Sequence, residues 1–157
     1  AGQGVEMANL QTLAAELGVG ESVCWLGHLP RQQMEQHFDR AWVQVVPSLW
    51  AEPFGNVTTE AMMRGTAIIA SAVGAQPEIV VNDETGFLVL PNDVESLTVA
   101  LLRFLQNRQL CERMGHNGRQ RALNHFSEDR RTEKFLEIYQ RLQASYQYQP
   151  LVKFSKI

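Results

Sequence analysis

The chain has 157 residues, 45% of them hydrophobic, which is enough to bury the core of one domain. A formal net charge of −3 provides no basic field for nucleic acid, so no nucleic-acid partner is expected. No apolar run approaches the ~20 residues of a membrane span and no signal-like segment opens the chain, so a cytoplasmic protein without a transmembrane segment is expected.

Two cysteines, Cys24 and Cys111, lie far apart in apolar patterns, with no CxxC spacing. They read as reduced core residues, and no histidine pair stands at metal-ligand spacing.

The opening AGQGVEMANLQTLAAELG reads as the end of a strand, a glycine turn and a helix, with chain expected upstream. Val5, Leu10, Leu13, Ala14 and Leu17 recur at helical spacing, and Gly18 can end that helix. SVCWLG then reads as a buried strand. Pro30 opens a short amphipathic helix carrying Met34, His37, Phe38 and Ala41, and WVQVVPS is the next strand.

Asn56 is a favoured N-cap for a helix from about Val57 to Arg64, which Gly65 stops. AIIAS is a continuous apolar strand, VGAQPEIVVNDETG a loop holding a small helix, and FLVL another strand. Short apolar runs separated by helices predict an α/β, doubly wound parallel sheet covered on both faces. Three helices follow without intervening strands, the first capped by Asn92 or Asp93 and the last by Ser127. The tail from Gln147 to Ile157 has no clear period.

Candidate chemistry lies in PSLWAEPFGNVTTEAMMRGTAIIAS, where Glu52 precedes the Gly55 turn and Glu60 stands in the helix. Beyond the carboxyl end of a strand is where open α/β sheets bind ligands. The free N–H groups of a helix start favour a phosphate, and glycine lets the backbone approach it. Glu60 lies roughly 6 Å along the helix from Asn56 and leans back toward its mouth. A carboxylate there can accept two hydrogen bonds from a ribose diol, and Glu52 can do the same for a second sugar. Two sugars with phosphates between them describe a nucleotide diphosphate sugar. The alternative makes Glu52 a solvated loop residue and Glu60 an exposed residue at a helix start.

EPFGNVTTE, from Glu52 to Glu60, followed by AMMRGTAIIASAVGAQPEIV, resembles the donor-binding domain of the group 1 glycosyltransferases, a retaining family of GT-B fold. VCWLGHLPRQQM, NDETGFLV, PND and HFSEDRRTEKFLEIYQRL extend the resemblance to about Leu142. The resemblance implies a Rossmann-like half of a GT-B fold over residues 1–146, lacking its first strands, with a tail at 147–157.

It also implies site roles. Glu52 would contact the donor sugar near the reacting carbon, the backbone of Phe54, Gly55, Asn56 and Val57 would hold the distal phosphate and sugar, and Glu60 would take the ribose hydroxyls. Leu26, Gly27 and His28, at the end of a strand, would line the nucleobase site through backbone contacts. The donor would be a UDP-, GDP- or ADP-sugar, with no cofactor and no bound metal.

The N-terminal acceptor domain and the usual cationic partners of the diphosphate lie outside this chain, which is therefore expected to be inactive alone. Peripheral membrane contact of a full protein stays open. Alternatives are a nucleotide-sugar-binding subunit of a split enzyme, a degenerate interaction module, or epimerisation or phosphorolysis on the same fold. Ala67 and Ala75 replace the family's usual proline and glycine.

Trp25, Trp42 and Trp50 read as core or loop anchors, and His37, His116 and His125 as helix-face residues. Glu78 either approaches the crevice or caps the small helix. Phe135, Ile138, Tyr139 and Leu142 form an apolar stripe on the last helix.

Overall fold

The computed structural model describes residues 2–146, so the predicted tail at 147–157 lies outside the described residues. The chain divides between Ala41 and Trp42 into two compact units, each described by itself.

The first unit holds helix α1 (Met7–Glu16), a short 3-10 turn (Gly20–Ser22) and helix α2 (Arg31–Phe38). Pro30 stands at the N-cap of α2 in extended backbone, so its missing N–H costs the helix nothing. The strand expected over SVCWLG does not form. A strand exists only through its ladder, and among the described residues this segment receives a single backbone bond of that kind, Gly2 N–H to the Gly27 carbonyl at 2.5 Å. Trp25 and Cys24 are accordingly exposed rather than buried.

The second unit is built on a parallel sheet of β1 (Val43–Val46), β2 (Ala67–Ser71) and β3 (Gly86–Val89), in the order β1-β2-β3. Ile69 of β2 pairs with Val45 on one side and Phe87 on the other. Its helices are α3 (Asn56–Arg64), α4 (Gln76–Ile79), α5 (Val94–Gln106), α6 (Arg108–His125) and α7 (Glu128–Ser145).

All five residues of β2 are buried, because period-two alternation sends them to two apolar layers. Ile68 and Ala70 pack with Met62, Ile79 and Ala122 on one face, while Ala67 and Ile69 pack with Phe104, Cys111 and Met114 on the other. The sheet is thus covered on both faces. Helix α6 supplies residues to both layers by crossing close to the end of α3, where Gly115 lies against the Gly65 carbonyl.

Local caps follow the sequence in two places. Asp93 accepts from the Ser96 N–H at 3.0 Å and Ser127 from the Arg130 N–H at 3.3 Å. In α3, however, Asn56 is the first helical residue and Gly55 takes the N-cap position with φ 81°. A left-handed cap suits glycine, which has no Cβ to clash, better than asparagine.

The two departures from the family pattern also have local reasons. Ala67 donates its N–H to the Trp42 carbonyl at 3.2 Å, a bond proline could not make. Ala75 has φ −77°, so the freedom of a glycine is not needed there.

Trp42 and Trp50 are exposed and do not anchor the core; the Trp42 ring is instead covered by the Arg108 guanidinium at 3.9 Å. Helix α7 has no buried residue, and Phe135, Ile138, Tyr139 and Leu142 are all exposed along it.

Candidate functional site

Because the strands are parallel, the loops after β1, β2 and β3 emerge at one edge of the sheet. Glu52 lies on the first of these loops and Gly74 on the second. The loops are joined: Ala75 donates its backbone N–H to the Glu52 carbonyl at 3.1 Å, and Gly74 has φ 60°.

The Glu52 carboxylate is half-buried and accepts from the buried Ser48 hydroxyl at 2.5 Å. Backbone and side chain of Glu52 are therefore both fixed, which does not suit a freely solvated loop residue. Ser48 and Gly74 were not singled out by sequence reasoning. Gly74 stands in a glycine-containing turn after a strand and was findable on that ground; Ser48 gave no periodic signal.

At the mouth of α3, Gly55 is buried while Asn56 and Val57 are exposed. The N-cap is glycine and has no side chain to close the helix start, while its carbonyl accepts from the N–H groups of Thr58 and Thr59 at 3.1 and 3.3 Å. The Gln44 amide donates to the Val57 carbonyl at 3.0 Å, and the Thr59 hydroxyl to the Asn56 carbonyl at 3.0 Å, fixing the first turn from below. Phe54 meets Phe126 edge to face with ring centroids 6.0 Å apart.

Glu60 is half-buried one turn into α3, and its backbone carbonyl accepts from Arg64 at 3.0 Å. Helix α3 and the loop before it thus hold Glu52, Phe54, Gly55, Asn56, Val57 and Glu60 in one continuous stretch. A cavity of about 420 Å³ adjoins this stretch, lined by Phe54, Asn56 and Thr59 and by Phe126, Arg131 and Lys134. A cavity of about 430 Å³ between α5 and β3 touches none of the predicted residues.

Leu26, Gly27 and His28 belong to the first unit. Leu26 and Gly27 are half-buried and His28 is exposed, in irregular backbone rather than at a strand end.

Glu78 does not cap the small helix with its side chain; Arg121 instead donates to the carbonyls of Glu78 and Ile79 at 2.7 and 2.8 Å, satisfying the end of α4. Among the described residues, no group of three or more His, Cys, Asp or Glu side chains is placed to hold a metal ion, and no helix is long and apolar enough to cross a membrane.

Residues 1–121 match the family described as glycosyl transferases group 1. Among curated relatives, the chain is 37% identical over 132 residues to the MMP alpha-(1->4)-mannosyltransferase of Mycolicibacterium hassiacum, covering 83% of this chain and 32% of that protein. It is 40% identical over 106 residues to the D-inositol 3-phosphate glycosyltransferase of Streptomyces griseus, covering 68% of this chain and 22% of the relative. The chain therefore spans a third or less of these two proteins.

Among solved structures, sucrose-phosphate synthase from Thermosynechococcus elongatus superposes with a TM-score of 0.78 at 35% identity, covering 90% of this chain and 35% of that one. Anabaena Alr3699/HepE, solved in complex with UDP, shares the fold with a TM-score of 0.79 at 24% identity, covering 85% of this chain and 36% of that one. With the family match spanning most of the sequence and the parallel α/β fold in common with these proteins, the chain belongs to the group 1 glycosyltransferases.

Proposed function

We propose that this chain is the donor-binding part of a retaining glycosyltransferase, which holds a nucleotide diphosphate sugar for transfer to an acceptor. The observation that carries this reading is the clamped Glu52 beside a helix mouth capped by glycine, with Glu60 one turn inside the same helix. Anabaena HepE has been solved with UDP and with UDP-glucose, which supports a nucleotide-sugar donor as the class of ligand.

In this reading the first N–H groups of α3 receive the phosphates, where the helix dipole favours negative charge. Glu60 accepts the ribose hydroxyls, and Glu52 binds the donor sugar near the carbon that is transferred. The helix mouth and cationic side chains supplied with the rest of the protein stabilise the leaving diphosphate without a metal. The setting is cytoplasmic.

Titration of the chain with UDP, GDP and ADP by calorimetry, repeated with Glu60→Ala, tests the reading. One nucleotide should bind, and the substitution should weaken it by about tenfold or more, the value of a charge-assisted hydrogen-bond pair. Affinity unchanged by Glu60→Ala would remove the ribose role, and binding of none of the three would count against a preformed donor site.

A further inference from the structure

Ser48 follows Pro47 just beyond the end of β1 and is buried. Its hydroxyl lies 2.5 Å from Glu52 Oε1, the short separation of a charge-assisted O–H···O bond. The hydroxyl is the donor, because an ionised carboxylate carries no proton and can only accept. Glu52 is half-buried, and its other oxygen, Oε2, accepts no hydrogen bond from the described residues.

The backbone and the carboxylate of Glu52 are restrained from different places. The turn after β2 fixes the backbone: Ala75 donates to the Glu52 carbonyl at 3.1 Å, and a Cβ on Gly74 would stand 2.6 Å from the Glu52 N and O. Among the described residues, Ser48 alone fixes the carboxylate. Removing the Ser48 hydroxyl therefore frees the carboxylate and leaves the backbone in place. A free glutamate loses its rotamer freedom when a ligand fixes it, so a carboxylate ordered beforehand binds its partner more tightly. With Oε1 held by a buried donor, Glu52 offers an incoming group Oε2, which is an acceptor only. That suits a hydroxyl of a sugar and repels the oxygens of a phosphate.

We propose that Ser48 is a positioning residue for sugar recognition: by holding Oε1 of Glu52 it presents Oε2 to a hydroxyl of the donor sugar, and so makes the site prefer a nucleotide sugar to the free nucleotide. The inference rests on the donor-site reading given above. Ser48 acts through Glu52 and does not touch the ligand, because it is buried and its one side-chain proton is committed to Glu52.

Calorimetry with UDP, GDP and ADP, and with UDP-glucose, GDP-mannose and ADP-glucose, tests this on the parent, Ser48→Ala, Glu52→Ala and the double variant. Melting temperatures check that each is folded. In the parent, the preferred sugar nucleotide should bind more tightly than its free nucleotide. Ser48→Ala should lower affinity for that sugar nucleotide by about tenfold and leave the free nucleotide unchanged. Ser48→Cys, which keeps the volume but is a weaker donor, should behave in the same way. In the Glu52→Ala background, Ser48→Ala should have no further effect, because residues that act as one unit are not additive.

Equal losses for the free and the sugar nucleotide would make Ser48 a structural residue of the loop and overturn the proposal. So would a preference for the sugar nucleotide that survives Ser48→Ala, or a full effect of Ser48→Ala without Glu52; all three leave the donor reading intact. A parent that binds a nucleotide but none of the sugar nucleotides more tightly would overturn the sugar contact of Glu52 together with the role of Ser48. Binding of no nucleotide and no sugar nucleotide would remove the donor reading and the proposal with it.

Discussion

No side chain fits at Gly74 without displacing Glu52: a Cβ there would lie 2.6 Å from both the backbone N and the carbonyl O of Glu52. The glycine also has φ 60°, a conformation that other residues adopt only with strain. The turn after β2 thus sets the position of a carboxylate carried by the loop after β1.

Gly74→Ala should therefore affect stability and the site together. Forced backbone movement of this kind costs about 1–3 kcal/mol. Urea denaturation should show a lower midpoint, and the affinity for the preferred nucleoside diphosphate should fall. An unchanged midpoint would show that the two loops adjust independently.

A contrasting pair of glycines lies on α6. At Gly115 a Cβ would collide with the Gly65 carbonyl, whereas at Gly118 its nearest neighbours stand at 3.4 Å or beyond, in ordinary contact. Gly115→Ala should be destabilising by about 1–3 kcal/mol or more through overpacking. Gly118→Ala should be neutral or stabilising by up to about 1 kcal/mol, because alanine is the better helix former. Thermal melts of the two variants measured side by side check the order.

The cap of α5 should have a pH signature. Hydrogen bonds from the backbone and side chain of Ser96 hold the Asp93 carboxyl below its usual range. A carboxyl whose folded value is depressed stabilises the fold above the unfolded value, about 3.9, and loses that contribution as pH falls through the folded value. Melting temperature should accordingly respond to Asp93→Asn near neutral pH, begin to converge with the parent as pH falls below about 4, and meet it only below the depressed folded value. Parallel curves at all pH values would contradict this assignment.

The two cysteines should differ in reactivity. Cys24 is exposed, while Cys111 is buried and donates to the Trp42 carbonyl at 3.1 Å. Burial also pushes the Cys111 thiol upward, keeping it protonated and unreactive at neutral pH. Brief alkylation of the native chain should add one group, at Cys24, and denaturation should expose the second. Peptide mass mapping reads both sites.

What could be read from sequence was what local rules decide. Periodicity gave α5 and α7, the side chains of Asp93 and Ser127 announced their caps, and the unbroken apolar run Ala67–Ala70 announced a strand buried on both faces. Two local readings failed for physical reasons. Val23–Gly27 has the composition of a strand, but strand formation depends on pairing that those residues do not themselves supply. At Gly55 and Asn56 the side-chain preference for asparagine lost to the backbone preference for glycine in a left-handed cap.

The site was legible as a contiguous stretch, from Glu52 to Glu60, because one loop and one helix carry it. Its supports were not. Gln76 meets Thr58, and Gly74 meets Glu52, only after β2 has brought the next loop alongside, and no spacing within either segment announces such a contact.

The crossing of α6 past Gly65 has a consequence for how the protein opens. One helix contributes Cys111 and Met114 to one apolar layer and Ala122 to the other. Neither layer can be exposed to solvent while α6 stays docked, so the sheet and its two coverings form a single cooperative unit rather than two foldons. Amides of β2 that bond to β1 and those that bond to β3 should share one slow exchange rate, set by global unfolding, and the clamp on Glu52 hangs from the ends of these same strands.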